Sequence, residues 1–287
     1  MKTPLYLSRP AVTSALGDGL SAHINHLLQP GAASPLTVSD AFVAGKSLAF
    51  GAVSQALRPF PQGLSESFRS RNNQLLWHAL AQMEDQIIEA KQRFGADRIA
   101  VVMGTSTSGA DENIPLFRQA VEQGTWAGAA FKQPQQLMSA PADFVAEVYG
   151  LHNLCYGVST ACTSGARALI SAARLLRAGL CDAVVCGGVD TLSPLTINGF
   201  ASLEVLSGGI ANPFSTNRDG INIGEGAAAF LLTREADFGD SLPFTGYGAS
   251  SDAYHMSSPR PDGLGAVAAF RAALHHADVE AGDIGWI

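Results

Sequence analysis

Cys162 occupies the position at which a strand-to-helix turn makes a nucleophile. Leu154, Cys155, Tyr156, Val158 and Thr160 form a β-rich apolar run, and Ala166, Leu169, Ile170, Ala173 and Leu176 then recur at helical spacing. The period changes at Cys162, so a buried strand is expected to hand this cysteine to the first turn of a helix. Thr163 or Ser164 is expected to cap that helix, Gly165 to let the backbone turn without a Cβ, and Gly179 to end it. A thiol placed there faces unpaired N–H groups and the positive end of the helix dipole, both of which favour thiolate. The same N–H groups can stabilise an oxyanion when the thiolate attacks a carbonyl. The competing role for any cysteine is that of a small buried hydrophobe. Cys155, Cys181 and Cys186 fit that role because they lie in apolar, strand-like runs, whereas Cys162 is embedded in Thr, Ser and Gly.

Other reactive side chains group less well. The seven histidines, at positions 23, 26, 78, 152, 255, 275 and 276, make no metal-ligand pair with a third ligand at useful spacing, so no metal site is expected. His275 and His276 point to different faces of a helix. Asp219 and Glu225 flank a turn in RDGINIGEG, and their Gly and Asn neighbours favour turn hydrogen bonds and support of the nucleophile loop over acid–base work. The turn Gly104-Thr105-Ser106-Thr107-Ser108-Gly109 looks superficially like a phosphate loop, but no Gly-Lys-Ser/Thr follows it. GEGAAAF leads into a strand and not a helix, which excludes a dinucleotide fingerprint.

The elements that must position Cys162 read as alternating helices and strands. Helices are expected at 19–28, 73–94, 113–123, 141–149, 197–205 and 265–277, and strands at 98–103, 183–186, 227–233 and 244–248. The alternation argues for α/β layers around a largely parallel sheet. The polar, Gly-containing stretch 235–242 reads as a loop that separates the strand at 227–233 from the one at 244–248. With 47% hydrophobic and 15% charged residues in 287, the chain can bury a large core. It contains no run of about eighteen apolar residues and no secretory h-region. Four cysteines without a regular framework fit a reducing compartment, with the cytoplasm as the default. A formal net charge of −7 without a Lys/Arg run argues against a nucleic-acid partner.

These residues bring a family into view. TACTSG followed by an Ala- and Leu-rich helix, with Cys186-Gly187-Gly188-Val189-Asp190 at a strand end, resembles the β-ketoacyl-acyl carrier protein synthases, the condensing enzymes of fatty acid and polyketide assembly. NPFSTNRDGINIGEGAAAFLL at 212–232 is similar to the family's Pro-Phe, Arg-Asp-Gly and Gly-Glu-Gly-Ala signature. SSDAYHMSSP at 250–259 resembles the segment opening the second half of these enzymes, and residues 11–31 resemble their first turn and helix. The resemblance covers essentially the whole chain.

It implies a thiolase-like layered α-β-α-β-α fold, with a complete N-terminal half over residues 1–240 and only the start of the C-terminal half over residues 241–287. It further implies a decarboxylating Claisen condensation, with Cys162 as the acylated nucleophile and its backbone N–H as one oxyanion donor. No cofactor is implied, since phosphopantetheine arrives on the acyl carrier protein. Thr163-Ser164-Gly165 resembles synthases of type II polyketide or polyene-like pathways. The rival roles are a non-catalytic chain-length-determining partner subunit and a thiolase-type acyltransferase. Carrier proteins are acidic, so docking calls for a local basic patch, with Arg69, Arg71 and Lys132 as candidates. The resemblance also implies a homodimer or heterodimer, with the strand 183–186 expected at a pairing sheet edge. His255 lies in the resembling segment but is not one of the family's catalytic histidines. The family's Asn-x-His-Gly-Thr motif, expected directly after a buried strand at 283–287, is not in this sequence. The chain is therefore expected to be an N-terminal portion without the catalytic histidines.

Overall fold

The computed structural model describes residues 3–128, 130–238, 240–255 and 258–286. Met256 and Ser257 of the SSDAYHMSSP segment, and Ile287, lie outside the described residues. The chain opens with strands β1 (Tyr6–Leu7), β2 (Ala11–Ser14) and β3 (Gly17–Asp18), helix α1 (Gly19–Leu27), and the hairpin of β4 (Thr37–Ser39) and β5 (Leu48–Phe50). Helices α2 (Arg71–Leu80) and α3 (Glu84–Phe94) lead to β6 (Ile99–Gly104). Then come α4 (Ile114–Gln123), α5 (Gln133–Gln136), α6 (Ala140–Tyr149), β7 (Cys155–Val158), α7 (Ser164–Arg177) and β8 (Ala183–Asp190). The remaining elements are α8 (Pro194–Ser202), β9 (Gly226–Thr233), β10 (Leu242–Pro243) and α9 (Leu264–Ala277).

Among the described residues the main sheet runs β10-β1-β9-β8-β6-β7, with β2 also paired to β9 and β3 to β2. The sheet is mixed and not largely parallel: β6 pairs parallel with β7 and β8, but β9 runs antiparallel to β8, β1 and β2. Side chains alternate between two cores, as the pleat requires. Ile99, Val101 and Met103 of β6, with Val185 and Leu231, face Leu75, Leu80, Ile87 and Phe144 of α2, α3 and α6. Ala100 and Val102, with Val184, Cys186 and Leu232, face Ala168, Ala172, Ala173 and Leu176 of α7. Both faces of the sheet are covered, which explains why β6 and β8 are apolar throughout.

Several expectations about single elements change. Residues 183–186 are the first half of the eight-residue strand β8, which is flanked by β6 and β9 and so is not a sheet edge. The edge belongs to β7, which is half-buried where a buried strand was expected. The helix expected over 73–94 is two helices joined by a 3-10 turn at Ala81–Met83. That break brings Gln82 against β2, where its amide exchanges hydrogen bonds of 3.0 Å with both backbone groups of Val12. Residues 244–248 form no strand: Gly246 and Gly248 lie so close to α9 that an added Cβ would fall 2.5 and 2.0 Å from the carbonyl oxygens of Ala273 and Ala269. The expected buried strand at 283–287 is also not formed, since Ala281–Asp283 is a 3-10 turn and Trp286 is exposed.

The N-terminus of α7 sits on the ends of β6 and β8 through glycine. A Cβ on Gly104 would lie 2.4 Å from both the carbonyl carbon and the oxygen of Ser164, and one on Gly188 would lie 3.0 Å from Gly165 Cα. A Cβ on Gly165 itself would meet Gly188 Cα at an ordinary 3.7 Å. The glycine that this contact demands is thus in the strand and not in the helix. Gly104→Ala should therefore lower stability by about 3 kcal/mol, the upper end of overpacking costs, while Gly165→Ala should stay within about 1 kcal/mol. Urea unfolding of the two variants tests this, and the reverse order would disprove the packing.

Candidate active site

Cys162 is exposed and lies two residues before the helix whose first turn it was expected to enter: α7 starts at Ser164 with Thr163 at the cap position. Residues 159–163 are exposed as a group, and within them Ala161 holds φ of 53°. A non-glycine residue in this left-handed region costs about 1–2 kcal/mol, so the loop must be held by other contacts. Ser164 supplies two of them, donating its hydroxyl to the Ala161 carbonyl at 2.6 Å and accepting the Thr160 N–H at 2.9 Å. Thr163 donates its hydroxyl to the Thr160 carbonyl at 2.8 Å.

Neither side chain caps the helix, contrary to the expectation from sequence. Among the described residues the N–H groups of Cys162, Gly165 and Ala166 are left without acceptors. Gly179 does end the helix, at φ of 69°. The result is an exposed thiol beside open N–H groups at the positive pole of a 14-residue helix. The other three cysteines are less exposed and their thiols are held protonated: Cys181 and Cys186 are buried and Cys155 is half-buried. Burial, reinforced by Asp143, pushes the Cys155 thiol up to about 12, burial raises Cys181 to about 11, and the fully buried Cys186 is raised further.

Cys162 opens onto a cavity of about 550 Å³ whose lining includes Gly165, Gly188, Asp190, Ala228 and His23. His23 Nδ1 lies 2.8 Å from the Gly19 carbonyl, which only accepts, so this nitrogen carries the proton. In the neutral ring Nε2 then accepts from Ser14 Oγ, also at 2.8 Å.

The hydroxyl-rich turn after β6 is an anion cradle filled by the protein itself. Asp190 Oδ1 accepts from the Ser106 and Thr107 N–H groups at 2.6 and 3.0 Å and from the Thr105 and Thr107 hydroxyls at 2.9 and 3.0 Å. Its Oδ2 accepts from Ser106 Oγ at 3.0 Å. The sequence signal was present, since three hydroxyl side chains in a row need an acceptor, but the pairing with a strand end 83–85 residues away is a product of the sheet.

Glu225 is structural, but it supports the start of α2 and the chain at Val53 and not the nucleophile loop. Its buried carboxylate accepts the Val53 N–H at 3.0 Å and grips Arg71 through Nε at 3.1 Å and Nη2 at 2.5 Å. Asp219 lies exposed in a separate part of the same loop. Arg71, although its side chain is 48% exposed, is thus committed to the buried Glu225 carboxylate and is not a free cation. Arg69 bonds the Leu64 carbonyl and Glu66 while Lys132 is exposed, and the Gln135 amide ties α5 to the Arg69 carbonyl at 3.0 Å, so both cations belong to one region. His255 is exposed and does not line the Cys162 cavity.

A family model described as the β-ketoacyl synthase N-terminal domain matches residues 64–237, more than half of the chain, including Cys162, Asp190 and Glu225. The chain belongs to the β-ketoacyl synthase family. The 3-oxoacyl-[acyl-carrier-protein] synthase 2 of Vibrio cholerae is 32% identical over 219 residues, which is 71% of this chain and 52% of that protein. A ketosynthase from Xenorhabdus doucetiae, solved in complex with its chain length factor, superposes with a TM-score of 0.89 at 40% identity, covering 99% of this chain and 70% of that one. A β-ketoacyl synthase from Burkholderia phymatum STM815 superposes over 100% of this chain and 73% of its own with a TM-score of 0.82, and its 22% identity speaks to the shared thiolase-like fold. This β-ketoacyl synthase chain spans about half the length of the curated relatives it matches. Among its described residues no helix is long and apolar enough to cross a membrane.

Exposure and thiol acidity together fix an order of reactivity. Iodoacetamide at pH 8 should alkylate Cys162 first, with the three raised thiols reacting roughly a hundredfold more slowly, because a thiol titrating near 11 or 12 holds almost no thiolate at that pH. Peptide mapping of partially alkylated protein reads this order, and early label on Cys155 or Cys181 would contradict it.

Proposed function

We propose that the protein is a 3-oxoacyl-[acyl carrier protein] synthase of fatty acid or polyketide assembly, with Cys162 as its acyl acceptor. One observation carries the reading: Cys162 alone among the cysteines is exposed, at a strained turn beside unpaired N–H groups at a helix N-terminus. The Cys162 thiolate attacks an acyl thioester on the carrier, a new S–C bond forms, and the carrier's phosphopantetheine thiol leaves with the proton. Loss of carbon dioxide from a malonyl carrier then leaves a carbanion. That carbanion attacks the Cys162 thioester, forms the carbon–carbon bond and expels the thiolate. Covalent storage divides one difficult step into two easier ones. The Cys162 N–H is one donor to the oxyanion of each tetrahedral intermediate. No cofactor is needed beyond the group on the carrier.

Residues 1–240 carry the nucleophile half in this reading, and 241–287 begin the second half. Arg69 and Lys132 are the docking cations for an acidic carrier. β7, open along one edge, is the strand that pairs with a second ketosynthase-type subunit, in place of the strand 183–186. The complex of the Xenorhabdus doucetiae ketosynthase with a chain length factor supports a partner of this kind. A purely chain-length-determining role for this chain is disfavoured by its exposed cysteine. We place the protein in the cytoplasm. The histidines that promote decarboxylation and the second oxyanion donor belong to the Asn-x-His-Gly-Thr and Gly-Phe-Gly-Gly segments of the family, which these 287 residues do not contain.

Incubated with an acyl carrier thioester, the 287-residue chain should gain the acyl mass on Cys162, and Cys162→Ala should abolish the gain. Supplied with malonyl carrier, the same chain should show no condensation, because groups that act as a unit lose nearly the whole enzymatic advantage together. Acylation on another residue would sink the nucleophile assignment, and turnover comparable to that of longer synthases would overturn the division of labour.

A further inference from the structure

We infer that Asp190 is a positioning residue for the nucleophile, holding the ends of β6 and β8 and the first turn of α7 in one arrangement; this rests on Cys162 being the acyl acceptor. Asp190 lines the same cavity as Cys162 yet accepts five hydrogen bonds from Thr105, Ser106 and Thr107. The chain it holds leaves Gly104, whose Cα faces the Ser164 carbonyl with no room for a side chain. On its other side Asp190 follows Gly188, which abuts Gly165. One carboxylate therefore closes a ring through both strand ends that contact the helix start. A second route runs through β7, because Thr105 N–H donates to the Val158 carbonyl at 3.1 Å and Val158 leads into the nucleophile loop.

The cradle also extends away from the cysteine. Thr105 Oγ1 accepts the Ser108 N–H at 2.9 Å, and Ser108, held at φ of 47°, donates its hydroxyl toward the Gln135 and Leu137 carbonyls at 3.1 and 2.7 Å. Thr107 Oγ1 accepts the Thr191 N–H at 3.2 Å. All five groups facing Asp190 donate, so the site requires an acceptor. The bond pattern is also compatible with an amide: its oxygen can replace Oδ1, and the Ser106 hydroxyl can turn to accept from its nitrogen. Asparagine should therefore preserve the arrangement and alanine should release it. An electrostatic role would behave oppositely, since both substitutions remove a negative charge from the cavity and would ease formation of the thiolate.

The test compares wild type, Asp190→Asn and Asp190→Ala after titrating reactive Cys162 in each, so that rates are per competent site. Asp190→Ala should slow Cys162 acylation by an acyl carrier thioester about tenfold to a hundredfold, with little change in the concentration for half-maximal rate, and Asp190→Asn should stay within about threefold. The pH profile of Cys162 alkylation by iodoacetamide should move upward in Asp190→Ala and remain in place in Asp190→Asn. Equal per-site rates in all three proteins would reduce Asp190 to a structural tether and overturn the inference, as would faster neutral-pH alkylation in both variants. If Asp190→Ala does not fold, Ser106→Ala and Thr107→Val each remove one side-chain hydrogen bond to Asp190, and each should give a partial loss that grows when the two are combined. If wild-type Cys162 accepts no acyl group, the parent reading has failed. The alkylation profiles, which use no substrate, still decide whether Asp190 positions the thiol.

Discussion

The contact on which the structure depends is one between backbones: the first turn of α7 rests against the ends of β6 and β8 with only glycine between them. Such proximity is possible because the face of α7 toward the sheet is built from Ala168, Ala172 and Ala173, with Leu176 as the large side chain at its far end. Small residues lower the helix onto the sheet, and burying a leucine such as Leu176 supplies about 2 kcal/mol to hold it there. The geometry has a chemical consequence. With glycine at Gly104 and Gly188, where the strands meet the helix, the polar group that the strands contribute to the Cys162 cavity is Asp190 at the last position of β8.

The loops at the strand ends are organised by carboxylates satisfied internally. Asp190 gathers the turn after β6, and Glu225 clamps the start of α2 through Arg71 and the chain at Val53. An isolated carboxylate taken out of water is expensive, and multiple hydrogen bonds, as at Asp190, or a bidentate guanidinium, as at Glu225, offset that cost while fixing direction. The same chemistry explains why a Gly- and hydroxyl-rich turn here is not a phosphate site. Its donors converge on an anion, but the anion is part of the chain.

Local signals in the sequence located most elements, and nonlocal pairing decided what escaped them. The apolar runs of β6, β8 and β9 and the helical spacing of α7 were legible because each carries its own period. That strand 183–186 lies centrally while the less buried Cys155–Val158 forms the edge depends on which strands neighbour it, and no window of sequence contains that. Gln82 broke a continuous helical pattern because its amide has a partner in Val12, seventy residues earlier. At the site, Cys162 was legible from context, whereas the partners of Glu225, Arg71 and Val53, lie more than 150 residues away and no local window shows them. Asp190 stood in a recognised motif without a role, since its five donors become visible only once β6 and β8 lie side by side.

The missing helix cap is the most informative departure. Had Thr163 or Ser164 capped α7, its oxygen would have occupied an N–H of the first turn, the donors that an incoming oxyanion needs. Both hydroxyls instead turn backward onto Thr160 and Ala161, and there they hold the left-handed turn that presents Cys162. Two polar side chains thus stabilise the strained loop and leave the helix end open. A strained residue before the thiol, hydroxyls fastened behind it and unpaired N–H groups ahead of it are parts of one arrangement, because capping the helix would forfeit both the support of the loop and the site for negative charge.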